Sequence, residues 1–145
     1  MIPLIMIGWL TMQTPAPARE AEVTSTAILG VEVGMTLADA RDRLQPFGRS
    51  DARRVTAGIK QVWKLDTTGF EWIALRTDAD GRVVWITGHR RGGQELPFES
   101  IAPAPLTAND STAVWHVEGT YRGQRLTLSG AKRRAQVVTL MAVTP

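Results

Sequence analysis

Two histidines, no cysteine and a scatter of carboxylates set the chemistry open to this chain. His116 is followed two residues later by Glu118, so an extended strand puts both on one face. A two-residue turn at Arg122-Gly123 would bring Thr127 opposite Glu118. A histidine, a carboxylate and a hydroxyl together can serve general-base hydrolysis. No nucleophile elbow and no phosphate-cradling glycine loop accompanies them, so the set reads as strand polarity and no catalytic residue is assigned. His89 has no partner at ligand spacing. Asp78-Ala79-Asp80-Gly81 begins like a calcium loop, yet no bidentate Glu follows where one is required, and a hairpin turn accounts for it. Without cysteine there is no disulfide, thiolate catalysis or cysteine-ligated zinc. Neither a metal nor a cofactor is expected.

Binding residues are better represented than catalytic ones. Strand alternation places Lys64, Phe70, Trp72 and Arg76 on one face of a hairpin, two large aromatics among charges. Such a face resembles a protein-binding surface with anchor residues. It has an alternative: the connector 91–112 folds back and buries the aromatics, with Pro97-Phe98 as a plug. Lys132-Arg133-Arg134 and Arg90-Arg91-Gly92-Gly93 are basic loops, read as solvated charge and, in a third class of reading, as contacts of an anion-binding structural protein.

The elements that must position these residues are one helix and about six strands. Gly34-Met35-Thr36 opens the helix. Thr36 can cap it, Asp39 suits its positive end, and Met35 and Ala40 occupy the staple positions. Leu37, Ala40 and Leu44 share a face, and Pro46 and Gly48 stop it. Strands follow at Ile59–Asp66, Phe70–Thr77, Arg82–His89, Ala113–Tyr121, Gln124–Ser129 and Ala135–Val143. Turn lengths predict a core face of Trp63, Leu65, Ile73, Leu75, Val83 and Trp85, leaving Val62, Asp66, Ala74, Val84 and Ile86 with the mixed face. In the second group Trp115, Val117, Tyr121, Leu126 and Leu128 face in, while His116, Glu118, Thr120, Arg125, Thr127 and Ser129 face water. The two three-stranded groups look alike in their Val-Trp starts, glycine turns and closing Val-Val. Both an internal repeat and ordinary meander patterning produce that likeness.

With 145 residues the chain fits a single α+β domain, residues 30–145, one short N-terminal helix packed on an antiparallel sheet of two meanders. Residues 1–18 read as a signal peptide: Ile2–Met12 is an uncharged apolar run, and Ala16-Pro17-Ala18 has the small–x–small pattern of a cleavage site, with the mature chain starting near Arg19. Residues 19–29 form a lead-in. No stretch is long enough for stable membrane insertion of the mature chain. The net charge of +3 is too small to imply nucleic acid.

Val33-Gly34-Met35-Thr36-Leu37-Ala38-Asp39-Ala40, a Trp-bearing strand, Leu75 and Asp78-Ala79-Asp80-Gly81-Arg82-Val83 resemble the SmpA/OmlA (BamE-like) envelope domains over residues 30–90. The related β-lactamase inhibitory protein-like fold repeats helix-plus-meander units. The resemblance implies non-catalytic binding to another protein and a periplasmic or secreted location. It departs in three places: no lipid-bearing Cys, Gln45-Pro46-Phe47-Gly48 at the helix exit, and no helix of its own for the second meander. The expectation is an exported, non-catalytic protein-binding or inhibitor-like module whose partner is an envelope or extracellular protein. The alternative is a small hydrolase-like enzyme using His116 and Glu118.

Overall fold

The computed structural model describes residues 21–51, 58–119 and 121–143. The apolar run, the Ala16-Pro17-Ala18 site and Thr120 lie outside them. The helix α1 (Leu37–Leu44) starts as its sequence requires. Thr36 is extended, and its Oγ1 accepts the Asp39 N–H at 3.2 Å, which satisfies one of the unpaired amides of the first turn. Ala40 and Leu44 are buried, and Pro46 lies in the 3₁₀ turn Gln45–Phe47 that carries the chain off the helix.

Among the described residues six long strands are joined by three short ones in a single antiparallel sheet, so the expectation of about six strands undercounts. The strands are β1 (Gly48–Ser50), β2 (Gln61–Leu65), β3 (Phe70–Thr77), β4 (Val83–Arg90), β5 (Leu96–Pro97), β6 (Thr107–Ala108), β7 (Thr112–Glu118), β8 (Gly123–Ala131) and β9 (Arg134–Ala142). The three missed, β1, β5 and β6, are too short to show an alternating pattern. Their order is β1-β2-β3-β4-β9-β8-β7-β6, with β5 set against the start of β9. The third strands of the two meanders therefore pair with each other at the centre, through Thr87 and Thr139.

Around that pair the two meanders match row by row. Trp63, Ile73 and Gly88 lie side by side in the first, and Trp115, Leu126 and Leu140 in the second. Val62, Ala74 and Thr87 correspond in the same way to Val114, Thr127 and Thr139. Both third strands skip one residue at the same point: Val84 is left out between Arg76–Trp85 and Thr77–Val83, and Gln136 between Ser129–Val137 and Gly130–Ala135. The match extends to the helices. Thr36, the residue before α1, bridges to Arg82 at the start of β4, and Pro97, the residue before the one-turn 3₁₀ helix Phe98–Ser100, pairs with Arg134 at the start of β9. The second meander thus keeps a helical turn where the sequence suggests none. A shared register and a shared bulge go beyond the alternation common to all meanders, and they are what an internal repeat requires.

One face of the sheet is the core. Trp63, Leu65, Phe70, Ile73, Leu75, Val83, Ile86, Trp115, Leu126, Leu128, Val138 and Leu140 are buried on it, covered by α1, by Val23, Ile28, Val31 and Val33, and by Phe98 and Ile101. The connector therefore covers the core side of the sheet. Phe98 plugs the core, and Trp72 stays on the other face.

Candidate functional site

Two bulges re-sort the residues that alternation assigned to the open face. β3 carries an extra residue at Glu71, between the pairs Phe70–Arg90 and Trp72–His89. Each extra residue reverses the in–out sequence beyond it. Phe70, expected beside Trp72, is instead fully buried, and it is corrected out of the binding face. Its ring lies so close over Gly88 that a Cβ there would meet it at 2.6 Å, so the absence of a side chain at Gly88 makes the place for it. The Val84 bulge has the opposite consequence for Trp85. Leu75 pairs with Ile86, and Arg76 with Trp85, where the turn length paired Leu75 with Trp85. Ile86 enters the core and Trp85 leaves it.

The open face is then built in three rows across the strands. One row runs Lys64, Trp72, His89, Val137, Ser129; the middle row Val62, Ala74, Thr87, Thr139, Thr127, Val114; the third Arg76, Trp85, Met141, Arg125, His116. At strand spacing the outer rows stand about 14 Å apart. Between them Val62, Ala74 and Thr87 are 5 %, 2 % and 8 % exposed, a floor of small side chains between larger ones. Thr87 and Thr139 join their hydroxyls at 2.9 Å across the central pair. Trp72 stacks on His89, ring centroids 5.8 Å apart and 19° from parallel. The Arg76 guanidinium sits 4.6 Å from the centre of the Trp85 ring. Both indoles are half-buried, and Lys64 and Arg76 are exposed. Three of the residues expected at the site, Lys64, Trp72 and Arg76, are thus brought together. Trp85 and His89 join them, and only knowledge of the bulges would have added Trp85.

The second candidate set does not assemble. Glu118 pairs with Gly123, and Thr127 with Val114, because the loop after β7 is longer than two residues. His116 and Glu118 instead rim a cavity of about 330 Å³ at the edge of β7, with Ser25 and Leu106. Among the described residues no hydrogen bond joins Ser25, His116 and Glu118, and no group of three or more His, Asp or Glu side chains could hold a metal ion. The faces of β7 and β8 nonetheless stand as expected, because the register differs by an even number of residues.

The basic loops are structural. Arg90, 8 % exposed, donates from its Nη1 to Glu22 at 2.7 Å and from its Nε to the Gln94 carbonyl at 2.8 Å. The same Glu22 carboxylate accepts the Gly69 N–H at 3.0 Å. Arg91 donates to the carbonyls of Thr68 and Leu65, tying down the β2–β3 turn. Lys132 and Arg133 form the β8–β9 turn with φ of 53° and 59°, a left-handed backbone held by the Arg133–Glu99 pair at 3.2 Å and the Arg133 N–H to Asp110 carbonyl bond at 2.7 Å. Asp78 closes the Asp78–Arg82 turn by accepting the N–H groups of Asp80 and Arg82, which is the hairpin role expected of it. Its other oxygen accepts the Tyr121 hydroxyl at 2.5 Å, joining the two meanders. That hydroxyl above all, then the Arg82 N–H, holds the Asp78 carboxyl below the usual carboxylate range, and the bond to Asp78 raises the Tyr121 phenol.

No helix among the described residues is long and apolar enough to cross a membrane. Compared with known proteins, the chain matches no family model, no curated protein and no solved structure.

Proposed function

We propose that the protein is an exported, non-catalytic binding module of the cell envelope, and that its working surface is the open sheet face around Trp72 and Trp85. The observation that carries this reading is the contrast between the two matched halves. At the places where the first half has Trp72 and Trp85, the second half has Arg125 and Val137 in the same register. The same sheet is therefore built without indoles at those positions, so folding does not demand them. Half-buried indoles flanked by arginine and lysine are the composition of binding hot spots.

Export rests on Ile2–Met12 and Ala16-Pro17-Ala18. Kinship with the SmpA/OmlA group belongs to the same proposal. Its two sequence segments meet in space: the Gly34 N–H donates to the Val83 carbonyl at 2.8 Å, the Val83 N–H to Met35 at 2.7 Å, and Arg82 Nη1 to the Gly34 carbonyl at 2.7 Å. The pairing gives a physical reason for a Gly-Met-Thr helix start to accompany an Asp-x-x-Gly-x-Val turn.

The test is capture from envelope extract with wild type, Trp72→Ala and His116→Ala, with a thermal melt of each. The expected result is a folded Trp72→Ala protein that captures nothing, and unchanged capture by His116→Ala. Loss of folding in Trp72→Ala returns that indole to the core. Capture or activity lost only in His116→Ala moves the function to the β7 edge.

A further inference from the structure

We infer that the occupant of this face is an acidic segment of a partner protein, an inference that rests on reading the face as a binding surface. Charge selects the occupant. Lys64, Arg76 and Arg125 stand on the outer rows, one on each of β2, β3 and β8. The ion pairs among the described residues join Arg90 to Glu22, Arg122 to Asp78 and Arg133 to Glu99, and none involves these three cations. Arg76 is held instead by the Trp85 ring, and Arg125 by the Met141 sulfur at 3.3 Å. The nearly buried Arg90, by contrast, is matched to the Glu22 carboxylate. Arg76 and Arg125 are set against neutral, polarisable groups, which orient a guanidinium and leave its charge available, while the exposed Lys64 stands beside Trp72 in its row. Along β3, β4, β8 and β9 the acidic side chain is Glu71 in the bulge, and the other carboxylates near the face stand at its edges, Asp51 and Asp66 around a hollow with Lys64 and Glu118 near His116.

Lys64 and Arg76 also begin the two outer rows, on either side of the floor of Val62, Ala74 and Thr87. A chain laid along that floor meets an indole on each side, Trp72 and Trp85, and a cation near each indole, Lys64 and Arg76. The complement is a polypeptide carrying carboxylates interspersed with apolar or aromatic side chains. Carboxylates answer the cations and steer encounter; the apolar groups bury the indoles.

The experiment titrates the full chain with a fluorescein-labelled glutamate–tyrosine copolymer, read by anisotropy at low and at physiological salt. Alongside it run Lys64→Glu/Arg76→Glu, Trp72→Ala, and the control Arg41→Glu/Arg43→Glu, which makes the same charge change on the exposed side of α1. Thermal melts establish that each is folded. Binding is expected for wild type, weakened at least tenfold by Lys64→Glu/Arg76→Glu and by Trp72→Ala, and changed less than twofold by the control. Absence of binding at low salt, or equal loss in both charge-reversed proteins, overturns the proposal. Tighter binding of oligo-dT or polygalacturonate with the same residue dependence overturns it in favour of another polyanion. Extract capture that needs Trp72 but is unmoved by salt or by Lys64→Glu/Arg76→Glu keeps the binding face and overturns the acidic occupant alone.

Discussion

The two halves of the sheet share a register, a bulge and a buried first-strand tryptophan, yet their open faces differ. Trp63 and Trp115 are 3 % and 2 % exposed and occupy matching rows. On the other face Lys64, Trp72, His89, Arg76 and Trp85 of the first half stand where the second has His116, Arg125, Met141, Ser129 and Val137. A core position answers to packing, and packing is the same problem in both halves. An open-face position answers to whatever lies beyond the sheet, and there the halves have parted. The helices differ in the same sense: a full α-helix over the first half, a single 3₁₀ turn over the second, each entered from a residue paired with the start of a third strand.

Removing the matched tryptophans should have the largest effect. Trp63→Ala and Trp115→Ala should each cost about 3–5 kcal/mol of unfolding free energy through the cavity left behind. Denaturant titration checks it, and a near-neutral Trp115→Ala would end the claim of a shared core. At the central pair, Thr87→Val should cost about 1 kcal/mol by leaving the Thr139 hydroxyl without its partner, whereas Thr87→Val/Thr139→Val should recover most of that loss. A double variant as unstable as the sum of its singles would show that the hydroxyl bond is not what joins the halves there. The cap is an asymmetric feature, since Pro97 before the second helical turn makes no side-chain cap bond. Thr36→Ala should accordingly cost about 1 kcal/mol, measured in the same titration.

The link between the halves has a pH signature. The Asp78 carboxyl is lowered in the folded protein, chiefly by the Tyr121 hydroxyl. A carboxyl lowered on folding contributes stability in full above its unfolded pKa of about 3.9 and loses it as pH falls through the lower folded value. Tyr121→Phe should move the Asp78 titration upward in an NMR pH series and remove that acid-side contribution. An unmoved titration would show that the bond does not form in solution. The smallest effect on stability belongs to the open face: Trp85→Ala, which loses an exposed cation–π contact, should cost only about 0.5–1 kcal/mol. A loss comparable with that of Trp63→Ala would return Trp85 to the core, where alternation alone had put it.

The helix was legible because a cap is a local interaction, and Thr36 and Asp39 spell it out. The long strands were equally legible: β3 falls at Phe70–Thr77 as the alternation indicates. So were the two faces of β7 and β8, since parity survives an even error in register. Of the candidate site, Lys64, Trp72 and Arg76 could be read; Phe70 and Trp85 exchanged places. What exchanged them is a single extra residue in each case, Glu71 and Val84. No local preference announces a bulge at either. Each follows from what the neighbouring strand and the layer beneath will accept. Gly88 opens a place for the Phe70 ring, and Ile86, fully buried opposite Leu75, fills the core in Trp85's stead. The pairing of β4 with β9, the anchoring of Glu22 on Gly69 and Arg90, and the choice of Phe98 as a core plug are likewise long-range. Period and capping are properties of a few consecutive residues and can be read from them directly. Which side of the sheet an aromatic occupies depends on partners far along the chain, and it is settled where those partners pack together.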